Sequence, residues 1–159
     1  MKKHPVPTAE DVDALLSFLP AFGTKAFQFG KFHFRPGVFP DYEISVIARR
    51  FIKAAHDHNW IIVFDWPRWQ REAARYAQGP ALLKCANLFT LQKLLTTHIR
   101  KERFCDGHLA AMYECGHITA ILRRLERIRK RMRSRNQTAE GRGTKAGRRT
   151  VRPVRRDAE

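Results

Sequence analysis

One apolar stripe sets the limit of the folded chain. Ile118, Ile121, Leu122, Leu125, Ile128 and Met132 recur at three- and four-residue spacing, and beyond Asn136 there is no Ile, Leu, Met or aromatic residue. The spacing predicts one long last helix, docked over its first half and projecting over its second. The segment after it is dominated by Gly, Thr and Arg; it buries too little apolar surface to offset its ordering entropy and is expected to be disordered when free. Charge follows the same division. Of a formal net charge of +16, residues 1–122 carry 16 basic against 11 acidic side chains, and residues 123–159 carry 15 against 4. About two thirds of the excess thus falls in the last quarter of the chain, an asymmetry that predicts a polyanionic partner, nucleic acid ahead of an acidic protein or membrane surface.

The rest of the chain is apolar enough to fold, with 43% hydrophobic residues, eleven Phe and three Trp. The expected organisation is a flexible N-terminus over 1–7, one helical domain over 8–135 and an Arg-rich tail over 136–159. The acids of Ala9-Glu10-Asp11-Val12-Asp13 interrupt any secretory h-region, and no stretch approaches the roughly 20 apolar residues that span a bilayer. Three cysteines, Cys85, Cys105 and Cys115, are too few for a disulfide framework, so reduced thiols and a cytoplasmic protein without membrane association are expected.

The fold class is mainly α, with about five or six helices and at most a short β hairpin. Thr8 and Asp11 form an N-cap pattern ahead of Val12, Leu15, Leu16 and Leu19, predicting a helix over 9–19 that ends at Pro20. Phe27, Phe29, Phe32 and Phe34, set among Gly and Pro, predict either a hairpin or an aromatic loop packed on helices. A second helix is expected over 42–58 from Ile44, Ile47, Phe51 and Ala55. The run Asn59-Trp60-Ile61-Ile62-Val63-Phe64 is β-prone, and Asp65-Trp66-Pro67 opens a third helix that stops at Gly79-Pro80. A short helical piece over 81–85 follows. Asn87 then caps a helix carrying Leu88, Leu91, Leu94, Leu95 and Ile99, and a short helix over 108–114 stops near Gly116.

Several blocks resemble a known family: Leu15-Leu16-Ser17-Phe18-Leu19-Pro20, Phe64-Asp65-Trp66-Pro67-Arg68-Trp69, Leu91-Gln92-Lys93-Leu94-Leu95-Thr96, Arg100-Lys101-Glu102-Arg103-Phe104-Cys105-Asp106-Gly107-His108-Leu109, Gly116-His117-Ile118 and Ile121-Leu122-Arg123-Arg124-Leu125. Together they resemble the uncharacterised bacterial family called domain of unknown function 6508, over roughly residues 12–125. The resemblance implies a shared fold and transfers no activity, and the basic tail lies outside it.

Four constellations are candidates for chemistry. Arg100, Arg103 and His108 offer forked donors and a proton carrier for an anion, set against a salt-bridged corner made with Glu102 and Asp106. Cys105, His108, Cys115 and His117 read C-x2-H and C-x-H, but the second spacing is tighter than that of zinc-finger partners, so neither a metal nor a cofactor is assigned. Trp60, Trp66 and Trp69, with Phe64 and Tyr76, form either a base-stacking platform beside Arg68, Arg71 and Arg75 or, as the packing reading has it, part of the core, with Trp66 and Trp69 as its anchors. The fourth is the basic surface of Arg123, Arg124, Arg127, Arg131 and Arg135, continued by Arg142, Lys145, Arg148, Arg149, Arg152, Arg155 and Arg156 in the tail.

The expected function is therefore nucleic-acid-associated binding, with the last helix and the tail on phosphates. A protein-interaction module, such as an adaptor or an inhibitor from a mobile element, is the alternative. A small enzyme built on the Arg100 to His108 corner ranks third, because no nucleotide loop, paired metal carboxylates or catalytic motif supports it. The catalytic residues of such an enzyme are unknown.

Overall fold

A computed structural model describes residues 4–143, with side chains over 4–135. The elements run α1 (Ala9–Leu16), α2 (Leu19–Phe22), β1 (Gly30–His33), β2 (Asp41–Ile44), α3 (Val46–Asp57), α4 (Trp66–Gln78), α5 (Pro80–Cys85), α6 (Leu88–Glu102), α7 (His108–Glu114) and α8 (His117–Gly143). The described chain is thus mainly helical with one two-stranded antiparallel hairpin.

Local chemistry places most helix starts. Thr8 Oγ1 accepts from Asp11 N at 3.2 Å while Asp11 Oδ2 accepts from Thr8 N at 2.8 Å, a reciprocal capping box at the start of α1. Asp65 and Asn87 cap α4 and α6 by accepting from Arg68 N and Thr90 N. The helix expected over 9–19 ends at Leu16, since Pro20 fits the first turn of the separate helix α2. The helix expected from Tyr42 starts at Val46: Ser45 caps it by accepting from Ala48 N, and Tyr42 to Ile44 belong to β2.

The aromatic stretch realises both readings. Gly30 pairs with Ile44 and His33 with Asp41 in the hairpin, and any Cβ on Gly30 would collide with Tyr42 Oη. Phe27 and Phe29 turn inward instead, onto Phe22, Phe51 and Tyr113, with ring centroids 4.9 to 6.2 Å apart.

Around α6 the core closes. Leu91, Leu94, Leu95 and Ile99 meet Val12 and Leu15 of α1, Phe51 of α3 and Ile118, Ile121, Leu122 and Leu125 of α8. The β-prone run after Asn59 finds no strand partner among the described residues. Trp60 is fully buried there with its Nε1 donating to Asp11 O at 2.9 Å, Ile62 N donates to Thr96 Oγ1 at 3.1 Å, and Gln92 Nε2 donates to Asn59 O at 2.7 Å. Side chains of α6 thereby replace the missing ladder. Residues 4–7, expected to be flexible, are docked: Pro7 is buried, Pro5 O accepts from Gln92, and the His4 ring stacks on Phe89. The helix α8 runs on to Gly143, past the expected tail boundary at Asn136, because lengthening an existing helix adds a hydrogen bond per residue without a new nucleation cost. Residues 144–159 of the tail expected over 136–159, and the first three residues, lie outside the described residues.

The indole that anchors the core is Trp60, in place of the expected Trp66 and Trp69, which are half-buried; Trp66 stacks on Phe104, itself 80% exposed. Trp60→Ala should therefore cost about 3 to 5 kcal/mol, and Trp66→Ala markedly less. Denaturant unfolding of both variants checks the order, and equal losses would overturn it.

Candidate nucleic-acid interface

Between Arg123 and Arg135 lie eight basic residues, and the fold sorts them by helical face. On the side toward α1, Arg129 Nε and Nη2 donate to the two carboxylate oxygens of Asp13 at 2.8 and 2.7 Å, and Arg133 approaches the same carboxylate at 3.8 Å. These arginines hold the Asp13 carboxyl below its usual range, the Arg129 hydrogen bonds contributing most. On the flank, Glu126 meets Arg123 at 3.6 Å and Lys130 at 3.9 Å. Arg124 is half-buried and its Nε donates to Ala86 O at 2.8 Å, tying α8 to the end of α5.

The remaining three, Arg127, Arg131 and Arg135, are exposed and meet no carboxylate among the described residues. Their four-residue spacing lays them along one face at about 6 Å per step. Two clefts run beside them. One of about 210 Å³ is lined by Lys84, Arg123, Arg124 and Arg127, and one of about 450 Å³ by Phe89, Arg124, Arg131 and Arg135; no acidic side chain lines either. Burial lowers the pKa of the Arg124 guanidinium, and Arg131 and Arg127 lower it further, a sign of like charges held together. Phe89, 44% exposed, lines the second cleft beside these cations, its ring shared with His4 and the Lys93 ammonium. Sequence reasoning missed Lys84 and Phe89, which reach this face only through the packing of α5 and α6. The side chains of Arg142, Lys145, Arg148, Arg149, Arg152, Arg155 and Arg156 lie outside the described residues.

The other candidate residues are dispersed. In the Arg100 to His108 corner the carboxylate turns inward: Glu102 accepts from the backbone N–H groups of Gly107 and Leu109 and caps the start of α7. Gly107, at a φ of 83°, takes a left-handed conformation against Phe32. Arg103 is exposed at the end of α6, whereas Arg100 is half-buried with Nε unpartnered. Both arginines depress the His56 imidazole, after burial as the leading cause. His108 pairs instead through its Nε2 with His98 Nδ1 at 3.0 Å, while Arg100 and Arg103 lie near His56, so the expected anion trio is divided between two histidines.

Cys105 and Cys115 are exposed, and among the described residues no three His, Cys, Asp or Glu side chains are placed to hold a metal. The proposed stacking platform is broken up: Trp60 is core, while Phe64 and Trp69 close, with Phe89, over the ammonium of Lys93 at 4.9 to 5.5 Å.

The profile of a family described as "Family of unknown function (DUF6508)" matches residues 7–131. The chain belongs to this family. No curated protein and no solved structure matches the chain. The match covers the core, His98, His108 and His117, and α8 as far as Arg131. No described helix is long and apolar enough to cross a membrane.

His98, His108 and His117 gather where α6, α7 and α8 meet, with the His98 ring centroid 5.2 and 5.1 Å from the other two. Burial is the leading cause that pushes His98 well below the usual imidazole range, and burial likewise takes His108 and His117 down to about 4. All three are neutral at pH 7. Because their folded pKa values lie below the unfolded value of about 6.5, the unfolded chain takes up protons first on acidification, and stability falls as pH drops from about 6.5 toward 4. Melting temperature should decline across that window, and less so in His108→Gln. A flat profile between pH 6.5 and 5 would contradict the burial of neutral imidazoles.

Proposed function

We propose that this protein is a cytoplasmic nucleic-acid-associated binding protein that grips phosphates along the outer face of α8. The observation that carries the reading is the sorting of charge on that helix. Asp13 and Glu126 neutralise the inner and flanking cations, and Arg127, Arg131 and Arg135 are left uncompensated along an acid-free pair of clefts. Exposed arginines in a row repel one another, and a phosphate chain relieves that repulsion with forked, charge-assisted hydrogen bonds. Nothing in the arrangement selects a base, so binding follows charge and salt in preference to sequence. The tail supplies further cations from beyond the domain.

In the full chain, replacing Arg127, Arg131 and Arg135 together with Ala should lower the salt slope on unrelated duplexes by about 2 to 3 units. The same count of substitutions at Arg123, Lys130 and Arg133 should lower it less, since their charge is partly spent on Asp13 and Glu126. Affinity measured from low to physiological salt gives both slopes, and identical slopes for the two triple variants would refute the role of the outer face.

The tail is tested separately. A chain stopped at Asn136 loses seven cations, and half-engagement of these would remove roughly three units of slope while leaving the melting temperature unchanged. An unaltered slope would confine the grip to the chain up to Asn136, and tight binding to one sequence alone would move recognition into the folded domain.

A further inference from the structure

Beneath α4, and sharing no lining residue with the arginine clefts, lies a cavity of about 300 Å³. Its α4 wall sets Ala73, Ala74 and Ala77, whose short side chains leave room beside α6, between the amides Gln70 and Gln78. The opposite wall carries His98 and Lys101 of α6 and His108 of α7. That volume is at the small end of the range for small-molecule sites, and the combination of an apolar wall with a few convergent polar groups is their usual construction.

The polar side is built and incompletely satisfied. His98 is 3% exposed, and its Nε2 has no hydrogen-bond partner although its Nδ1 is engaged with His108. A neutral imidazole offers one donor and one acceptor, so the His98–His108 contact has two arrangements. If His108 Nε2 donates, His98 is left with a buried N–H that nothing accepts. If His98 Nδ1 donates, only a lone pair is orphaned on His98, and the ring proton of His108 sits on Nδ1. Among backbone groups an orphaned N–H is rarer than an under-satisfied acceptor, and the same preference carried over to these rings favours the second arrangement. The half-buried His108 then has an N–H at Nδ1 to give, and no protein acceptor takes it among the described residues. Lys101 stands close enough to depress both imidazoles, and no carboxylate lines the cavity to balance its charge.

We infer that this cavity is a binding site for a small amphiphilic monocarboxylate, its carboxylate held by Lys101 and the His98–His108 pair and its apolar part lying against the alanine wall of α4. The occupant completes two things the protein leaves open: an acceptor for the imidazole N–H and a counter-charge for the ammonium. A cation meets the wrong field there, and a neutral alcohol supplies no charge.

The test uses the full chain with hexanoate, hexan-1-ol and hexylamine as probes. Binding is followed by calorimetry and by the imidazole nitrogen resonances of His98 and His108. Hexanoate should bind once and move both sets of resonances, hexan-1-ol should bind at least about tenfold more weakly, and hexylamine should leave the resonances unmoved. Ala77→Leu, which fills the apolar end, and Lys101→Gln, which removes the counter-charge, should each weaken hexanoate by about tenfold or more. The Ala77→Leu variant also removes ambiguity from weak carboxylate contact with surface arginines, which it does not touch. Should Ala77→Leu fail to fold, Lys101→Gln alone carries the test. Equal binding of hexanoate and hexan-1-ol would overturn the carboxylate class. Hexanoate binding unaffected by either substitution, or unmoved imidazole resonances at millimolar probe, would overturn the site itself.

Discussion

The structure depends on a helix that is buried nearly all round and yet is not uniformly apolar. Along α6, Gln92, Thr96, Thr97, His98 and Glu102 are all buried together with Leu91, Leu94, Leu95 and Ile99. Uncompensated polar groups in such a place are costly, and each needs a partner. Gln92 donates to the carbonyls of Pro5 and Asn59, Thr96 links Trp60 O with Ile62 N, and Glu102 collects two amides of the turn into α7. These partners are backbone groups of segments lacking regular hydrogen bonding of their own. One helix therefore satisfies the chain on both sides of it, and the irregular crossing from α3 to α4 can run through the interior without a sheet.

Charge imposes the second constraint. A helix with eight basic residues in thirteen positions repels itself, and its apolar stripe alone does not remove that repulsion. Asp13 and Glu126 remove part of it, on the faces where α8 meets the domain or turns along its flank. What is left is concentrated outward. An anion bound there adds stability to the folded chain by mass action, so the same residues that weaken the isolated helix couple its integrity to a polyanionic partner.

Signals confined to a few neighbouring residues were legible in the sequence. The caps at Thr8, Asp65 and Asn87, the stripe of α8 and the stop at Gly116 all emerge from local spacing and side-chain chemistry. Long-range competition was not legible. Tyr42 to Ile44 fit a helical period equally well, and pairing with Gly30 to His33 decided for a strand. Trp60, Trp66 and Trp69 look alike as residues; burial separates them, because Trp60 alone finds both a pocket and an acceptor, Asp11 O. The arginines of α8 were visible as a group, but their division into paired and unpaired faces required Asp13, more than a hundred residues away.

The corner around Arg100 to His108 shows how a structural reading and a chemical one can share the same residues. Of its two acids, Glu102 is consumed as the cap of α7, which takes it out of any exchange with Arg100 or Arg103. That capping also decides where α7 begins. Since His108 is the first residue of α7 and Gly107 supplies the left-handed step before it, the cap sets the imidazole at hydrogen-bond distance from His98. The Cys-His spacings that suggest zinc ligands arise from the same geometry: His108 and His117 open consecutive helices on the same buried histidine, while Cys105 and Cys115 fall on the exposed sides of the turns before them. Histidines brought together this way keep their rings neutral and their hydrogen bonding incomplete. That is the condition under which a buried cluster responds to whatever anion or proton reaches it.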